Sequence, residues 1–420
     1  MDKLLVIADD FTGALDTGVQ FAKLGAQTQL VVNYVPNSTI VKTNVSVLIV
    51  NAQSRHLSKE DSYKVIYSII KEFKAQFNFI YKKTDSGLRG NVGSELAAAL
   101  DATGLDNIKF FPAFPKIGRT TVKGIHYIDG VPVSESEFAK DLFNPVLKSN
   151  VGELISLQTS KQAQVVSDCA TETLKQLDAE ILVFDSKTDQ DMLTIAKALG
   201  KEELKLCAGC AGFASVLAGL LDLGYSKFPT SYELKPGLFV ICGSLNPITL
   251  KQIEEANKAG YVRFVLAPAE KISPELLELS CYDTFISNCI SAVEKSGCCI
   301  VDVKESFEAK DGEAKDGKEL TKAYLKDSVV KALSIIFKRV IEAGLDATFM
   351  CIGGDTLQAV VAAIGVNDFR PVCELAPGVV LSVFEYGGKL YPMVCKSGGF
   401  GVPDLICNLV EMTKKGSFNA

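Results

Sequence analysis

Phe77-Asn78-Phe79-Ile80-Tyr81-Lys82-Lys83-Thr84-Asp85-Ser86-Gly87-Leu88-Arg89-Gly90 sets an apolar run against a burst of charge. Phe77–Tyr81 predicts a buried strand. Two lysines, a carboxylate, two hydroxyls, an arginine and two glycines then follow within nine residues. A plain turn needs glycine and one polar side chain. It does not need Lys, Asp and Arg converging at a strand end. In open α/β sheets ligands bind at the carboxyl ends of the strands, where Arg offers a planar fork of donors and Lys a point charge. The segment reads as one wall of a site for a small anion. Solvated charges in a strand-to-helix loop explain it nearly as well when it is taken alone.

Working outward, strand-like runs recur at 4–8, 28–32, 45–50, 108–112 and 181–184. Helical patterns lie between several of them, such as 14–24, with Thr12 as its N-cap, and 59–76. The alternation predicts a mostly parallel sheet covered on both faces. The pattern breaks between Leu223 and Gly237, and a second α/β series follows. Its strands fall at 238–242, 262–266, 298–303 and 347–352, and Gly387-Gly388 turns a hairpin between 379–386 and 389–394. The fold class is thus α/β with two domains, 1–228 and 237–420, each a mostly parallel sheet covered by helices, with a ligand cleft between them.

At 420 residues and 47% hydrophobic content the chain can bury large cores. Its net charge of −6 argues against a nucleic-acid or anionic-membrane binder. The N-terminus enters a strand without a secretory signal, and the uncharged run 206–221 is too short to span a bilayer. It suggests a strand, a turn and a buried helix. Most of the twelve cysteines sit in apolar runs, and Cys207 and Cys210 have no second pair to complete a zinc site. The only histidines are His56 and His126. Reduced thiols and a cytoplasmic location follow.

Asp9-Asp10 joins the first strand to the first helix. One carboxylate can cap the helix; the other can accept hydrogen bonds from a polyol or act as a general base. Arg55 follows the third strand, so one sheet edge gathers Asp9, Asp10, Arg55, Lys83, Asp85, Ser86 and Arg89. Such a mixture suits a hydroxylated acid. Pro112–Thr120 predicts a rigid loop with Arg119 at its tip, a way to aim a donor; taken alone, a proline-rich connection with a solvated Arg is the favoured reading. In the second domain Gly353-Gly354-Asp355-Thr356 lies between a strand and a helix, with Thr356 as cap and Asp355 as either a cap or a magnesium ligand. Gly243-Ser244 makes the same transition, and Gly398, Gly399 and Gly401 form a third cluster. Three such loops point to a nucleotide phosphate site. Gly312 to Lys318 has P-loop spacing, but Glu319 stands where that motif needs Ser or Thr.

Asp9-Asp10-Phe11-Thr12-Gly13-Ala14, Lys83 to Gly90, Pro112 to Arg119, Gly243-Ser244, Gly353 to Thr356 and Lys396 to Gly401 together resemble the four-carbon acid sugar kinase family, over nearly the whole chain. The resemblance implies ATP-dependent phosphorylation of threonate, erythronate or a 3-oxo-tetronate at its 4-hydroxyl. It implies an N-terminal domain that binds the acid and a C-terminal domain that binds the nucleotide. Carried across, Asp10, Arg55, Lys83, Asp85, Ser86 and Arg89 contact the acid, with Asp9 and Arg119 beside them. Asp10 or Asp85 serves as the base. Ser244, Gly353, Gly354, Asp355, Thr356, Gly398 and Gly399 contact ATP, and Asp355 contacts Mg2+. Gly87 departs from the Thr or Ala expected in many relatives, which bears on the substrate rather than the class. The partners are then a small acid and ATP, with no nucleic acid or membrane; a homodimer is compatible. Two other classes compete. A non-catalytic two-domain acid binder needs no glycine-rich loops, and a nucleotide-cofactor oxidoreductase needs a G-x-G-x-x-G where Asp9-Asp10 stands.

Overall fold

The computed structural model describes residues 1–420 except 38–40, 42–43, 142, 168–176, 225–230, 304–313, 316–317, 320 and 420. Part of the expected domain junction at 223–237, and most of the P-loop-like stretch from Gly312 to Lys318, lie outside the described residues. The chain divides into two compact units, Met1–Phe228 and Pro229–Ala420.

In the first unit the strands are β1 (Leu4–Ala8), β2 (Thr28–Val31), β3 (Val47–Asn51), β4 (Phe79–Lys83), β5 (Ile108–Phe111), β6 (Arg119–Val122), β7 (Ile125–Ile128), β8 (Val131–Pro132), β9 (Ala163–Val166), β10 (Ile181–Phe184) and β11 (Leu206–Gly209). The main sheet runs β2-β3-β1-β4-β11-β5-β10-β9, with every neighbouring pair parallel. Antiparallel β6-β7-β8 form a separate small sheet. Strands β1, β3, β4 and β11 are buried along their whole length, as a sheet covered on both faces requires. The principal helices are α1 (Phe11–Ala22), α2 (Lys59–Phe73), α3 (Val92–Thr103), α4 (Val151–Ser156), α5 (Asp189–Leu199) and α6 (Ala211–Ala218).

Register decides what gathers at the sheet edge. Ala8 pairs with Asn51 and with Lys83, and Lys83 pairs with Gly209. The segments that follow β1, β3 and β4 therefore leave the sheet at one level. From β1 the chain moves to β2 on one side; from β4 it moves to β5 on the other. That reversal is the switch point at which such sheets bind ligands.

Two local expectations shift. The cap of α1 is Asp10, one of the two carboxylates read as a possible cap, whose side chain accepts from the Gly13 amide; Thr12, the other candidate, lies inside the helix. Asp caps as well as Thr does, and β1 ends early enough for the helix to start there. Strand β4 runs two residues later than the apolar run, because Lys82 and Lys83 continue it. Lys82 can be buried in a central strand because its Nζ lies 2.7 Å from Glu95 on α3.

The second unit contains β13 (Leu238–Cys242), β14 (Val262–Val265), β15 (Cys298–Asp302), β18 (Thr348–Ile352), β19 (Asp368–Ala376), β20 (Val379–Tyr386) and β21 (Lys389–Lys396), in the order β14-β15-β13-β18-β21-β20-β19. Short pairs β12 (Ser231–Glu233) with β22 (Ser417–Asn419), and β16 (Ala314–Lys315) with β17 (Lys318–Glu319), stand apart. The β14-to-β21 pairs are parallel, whereas the β20 pairs are antiparallel, with the hairpin turning at Gly387-Gly388 as read from the sequence. Helices α7 (Pro247–Lys258), α8 (Pro268–Ile272), α9 (Asp283–Ser296), α10 (Lys322–Glu342), α11 (Gly354–Ala363) and α12 (Leu405–Lys415) complete the unit. Cys242 pairs with Ile352, and Ile352 with Lys396. The three glycine-rich segments therefore also leave at one level. Among the described residues no helix is long and apolar enough to cross a membrane.

Gly209 shows how tightly the first sheet is packed. A Cβ there would collide with the Phe111 carbonyl oxygen and come within 2.8 Å of the Tyr81 hydroxyl. Because backbone cannot yield as a flexible side chain can, Gly209→Ala is expected to cost about 1–3 kcal/mol. Urea unfolding followed by circular dichroism measures this, and an unchanged midpoint would show that the strands part without strain.

Candidate active site

At the edge of the first sheet, one guanidinium ties the strand ends together. Arg55 donates from Nε to Asp9 Oδ2 at 2.7 Å and from Nη1 to Asp10 Oδ2 at 2.6 Å; its Nη2 lies 3.6 Å from Asp85 Oδ1. Asp85 in turn accepts from both arms of Arg89, Nε at 2.9 Å and Nη2 at 3.0 Å, together with the Gly87 and Arg89 amides. The remaining Arg89 arm reaches Asp141 at 3.2 Å. Positive φ at Leu88 (64°) and Gly90 (84°) folds the loop back so that Arg89 can face Asp85. Burial opposes the ionised Asp85 carboxyl, but Arg89 and then Arg55 outweigh it and hold it well below the usual carboxylate range. For Asp9, burial is likewise outweighed by Arg55 and Lys83, and its carboxyl is lowered.

Lys83 differs from the arginines. Its Nζ lies 3.8 Å from Asp9 Oδ1, and no hydrogen bond holds it among the described residues. Asp9 Oδ1 is buried without a hydrogen-bond partner. Gly13 leaves the room that the ammonium occupies, because a Cβ there would lie 2.5 Å from Nζ. The Lys83 ammonium thus lies at the N-terminal end of α1, where a cation is disfavoured and an anion welcome. Asp10 is the most open of the strand-end carboxylates, with its side chain 26% exposed.

The structure also brings in residues that the sequence did not single out. His126 on β7 places Nε2 2.9 Å from the Ser86 carbonyl oxygen and Nδ1 3.0 Å from Thr121 Oγ1. A carbonyl only accepts, so Nε2 carries the proton. Phe138 lies under two guanidiniums, Arg89 at 5.2 Å and Arg119 at 5.4 Å from its centroid. Arg119 is therefore not a solvated loop tip. It opens β6, its side chain is 13% exposed, and its Nε is buried without an acceptor. Phe138 also fills the space beside Gly87, where a Cβ would enter its ring. Behind the loops, Glu95 accepts from Ser54 at 2.5 Å and Ser62 at 2.9 Å while pairing Lys82. Asp141 and Phe138 lie some fifty residues from Arg89 and carry no local signal. His126 stood out only by rarity.

In the second unit the three glycine segments converge. A Cβ on Gly243 would strike Thr356 Oγ1, one on Gly398 would strike Ser244 Oγ, and one on Gly399 would lie 3.5 Å from Asn246 Nδ2. Gly353, with φ 110°, caps α11, which corrects the expected Thr356 cap; Thr356 is buried inside the helix against Gly243. Asp355 sits half-exposed in the first turn of α11 with Lys326 at 2.8 Å. Among the described residues no group of three or more His, Cys, Asp or Glu forms a ready metal cage. A magnesium ion coordinated mainly by phosphates needs only one or two carboxylates, and Asp355 fits that requirement. Among the described residues the cysteines are free thiols, and most are buried.

Two measurements test this geometry. Burial pushes the His126 imidazole down to about 4, against 6.5 in the unfolded chain. The unfolded chain therefore takes up this proton first. Stability is intact above pH 6.5 and falls between pH 6.5 and about 4, by on the order of 3 kcal/mol. His126→Gln should flatten that limb in urea midpoints measured against pH; an unaltered limb would assign it to other groups. Separately, Gly87→Thr should destabilise by about 1–3 kcal/mol through collision with Phe138. Added to Phe138→Ala it should cost less than in the parent, and strict additivity in this double-mutant cycle would exclude the contact.

Comparison with known proteins gives these two edges a context. Residues 4–217 match a model described as a sugar-binding N-terminal domain, and residues 239–406 one described as a nucleotide-binding C-terminal domain. A D-threonate kinase from Salmonella typhimurium is 28% identical over 429 residues, covering 97% of each chain. A D-erythronate kinase from Heliobacterium modesticaldum is 24% identical, covering 98% of this chain and 97% of its own. A 3-oxo-tetronate kinase from Pseudomonas savastanoi is 25% identical, covering 96% of each. A crystal structure from Salmonella typhimurium LT2 shares the fold, with a TM-score of 0.81 at 21% identity, covering 97% of this chain and 99% of that one. Both domain models match in order along the chain, and its full-length relatives are tetronate kinases: the chain belongs to the four-carbon acid sugar kinase family.

Proposed function

We propose that the protein is an ATP-dependent kinase that phosphorylates the terminal 4-hydroxyl of a four-carbon sugar acid: threonate, erythronate or a 3-oxo-tetronate. The observation that carries this reading is the register of the first sheet, which delivers Asp9-Asp10, Arg55 and Lys83 to Arg89 to one edge. The glycine segments of the second unit and the names of the full-length relatives support it.

The charges divide the work. Arg55 and Arg89 are engaged by Asp9, Asp10, Asp85 and Asp141, so they act chiefly as a rigid frame. Lys83, with one distant partner, is the cation best able to receive the substrate carboxylate. Asp85 has its oxygens occupied by Arg89 and two amides, which makes it a poor proton acceptor. Asp10 is partly exposed, and each of its oxygens accepts one bond. It is therefore the better base. In the transfer, the hydroxyl oxygen bonds to the γ-phosphorus, its proton passes to the Asp10 carboxylate, and ADP leaves with the electron pair of the broken P–O bond. Phosphoryl transfer depends on positioning and charge neutralisation, which preorganised ion pairs supply. Ser244, Gly354, Gly398 and Gly399 offer backbone and hydroxyl donors to the phosphates; the Gly353 amide is taken by the Lys396 carbonyl at 3.0 Å, so Gly353 contributes the open turn, and Thr356 packs against Gly243 and Gly353. Magnesium, held in part by Asp355, would neutralise phosphate charge when bound.

The test is ADP release by the purified protein with ATP, magnesium and a panel of tetronates and 3-oxo-tetronates. Stimulation by at least one is expected, and none by any four-carbon acid overturns the proposal. With the preferred acid, Asp10→Asn should lower kcat by about 10²- to 10⁴-fold while leaving the KM for ATP near its parent value. If Asp85→Asn lowers kcat alone and Asp10→Asn does not, the roles are reversed.

A further inference from the structure

Beneath the Ser397-Gly398-Gly399 turn of the second unit lies the buried ammonium of Lys396, the last residue of β21. Its Nζ donates to Thr249 Oγ1 at 2.9 Å, to the Ser397 carbonyl at 3.1 Å and to the Gly398 carbonyl at 3.0 Å. An ammonium has three N–H bonds. All three are used, so none remains for a ligand outside the protein. Thr249, on α7, donates its own proton to the Gly398 carbonyl at 2.6 Å, so that carbonyl is held twice. Gln252, one helical turn on, donates to the Phe400 and Val402 carbonyls at 3.0 Å each. The turn is thus fastened to α7 from below along its length.

The fastening has a directional consequence. In a trans peptide the N–H points away from the side of the C=O. Drawing the Ser397 carbonyl down to Lys396 turns the Gly398 N–H up. Drawing the Gly398 carbonyl down turns the Gly399 N–H up. Among the described residues neither amide has an acceptor. Successive amides facing one way form a concavity that binds anions, and here a positive charge lies directly under it. The turn packs against Ser244 and Asn246 of the neighbouring glycine segment.

We propose that Lys396 is a positioning residue that sets the Gly398 and Gly399 amides as a phosphate-binding pair of the nucleotide site. The proposal rests on the kinase reading above. It assigns Lys396 no contact with the nucleotide; the residue acts through the peptide planes it orients and through its charge.

Equilibrium ATP binding without the acid, and steady-state kinetics with it, provide the test. Lys396→Met should raise the Kd and KM for ATP by about tenfold or more, the scale of one charge-assisted hydrogen bond, with the KM for the acid unchanged. Thr249→Val, which removes one of the two bonds to the Gly398 carbonyl and one acceptor of the ammonium but keeps the charge, should shift ATP binding in the same direction by less. A third readout needs no variant. Burial lowers the Lys396 ammonium to about 8. The titratable group acting on it is the Cys242 thiol on β13, which burial raises to about 12 and keeps neutral. ATP affinity of the parent protein should therefore weaken as pH rises through about 8, and Lys396→Met should lose that dependence. A parent protein that binds ATP with a flat profile from pH 7 to 9.5, or a folded Lys396→Met that binds ATP as tightly as the parent, overturns the proposal and leaves the kinase reading intact. A parent protein that binds no ATP overturns both.

Discussion

The first unit turns on the Arg55 guanidinium. It joins the loop after β3 to two carboxylates after β1 and approaches one after β4. Without it, Asp9, Asp10 and Asp85 would crowd one sheet edge with only Lys83 and Arg89 to oppose their charge. With it the Asp9 and Asp85 carboxyls are held down, and Asp85 is free to orient Arg89. Buried ion pairs are weak sources of stability, because desolvation consumes most of the attraction. What this cluster provides is fixed geometry. Charges that are already paired do not reorganise when a substrate arrives.

Beneath each loop system lies a buried lysine, and both use the same device. Lys82 pairs with Glu95 and donates to the carbonyl of the next residue, Lys83, at 2.5 Å. Lys396 likewise donates to the carbonyl of its own next residue, Ser397. In both places a cation at the carboxyl end of a central strand draws the departing backbone inward and sets the direction of the loop. Lys82 carries a full counter-charge. Lys396 is held by neutral oxygens alone, which explains why burial lowers its affinity for the proton.

Much of this was legible in the chain. Apolar runs ending in charge or glycine located β1, β4, β13 and β18, because a buried parallel strand is apolar throughout and its carboxyl end is where polarity returns. Asp10, Arg55, Lys83, Asp85 and Arg89 could be grouped from their places after apolar runs, since parallel strands release their loops at one edge. Local caps were harder to read. Thr12 and Thr356 are good capping types, but Asp10 and Gly353 occupy the positions where the backbone leaves the strand. Arg119 followed a proline-rich turn that suggested exposure, and only the packing of Phe138 showed otherwise.

The sequence by itself determined the two α/β series, the polarity of their strand ends and the residue types at each loop, because periodicity and chain direction are local properties. Tertiary structure alone decided which charges neutralise one another. Arg89 is spent on Asp85 and Asp141, Lys83 is nearly unpaired, and Asp10 rather than Asp85 keeps an open face. It also decided that Phe138 stands beside Gly87 and that His126 holds Ser86. These are contacts between distant segments, and their distances and directions are set by packing, which no spacing along the chain encodes.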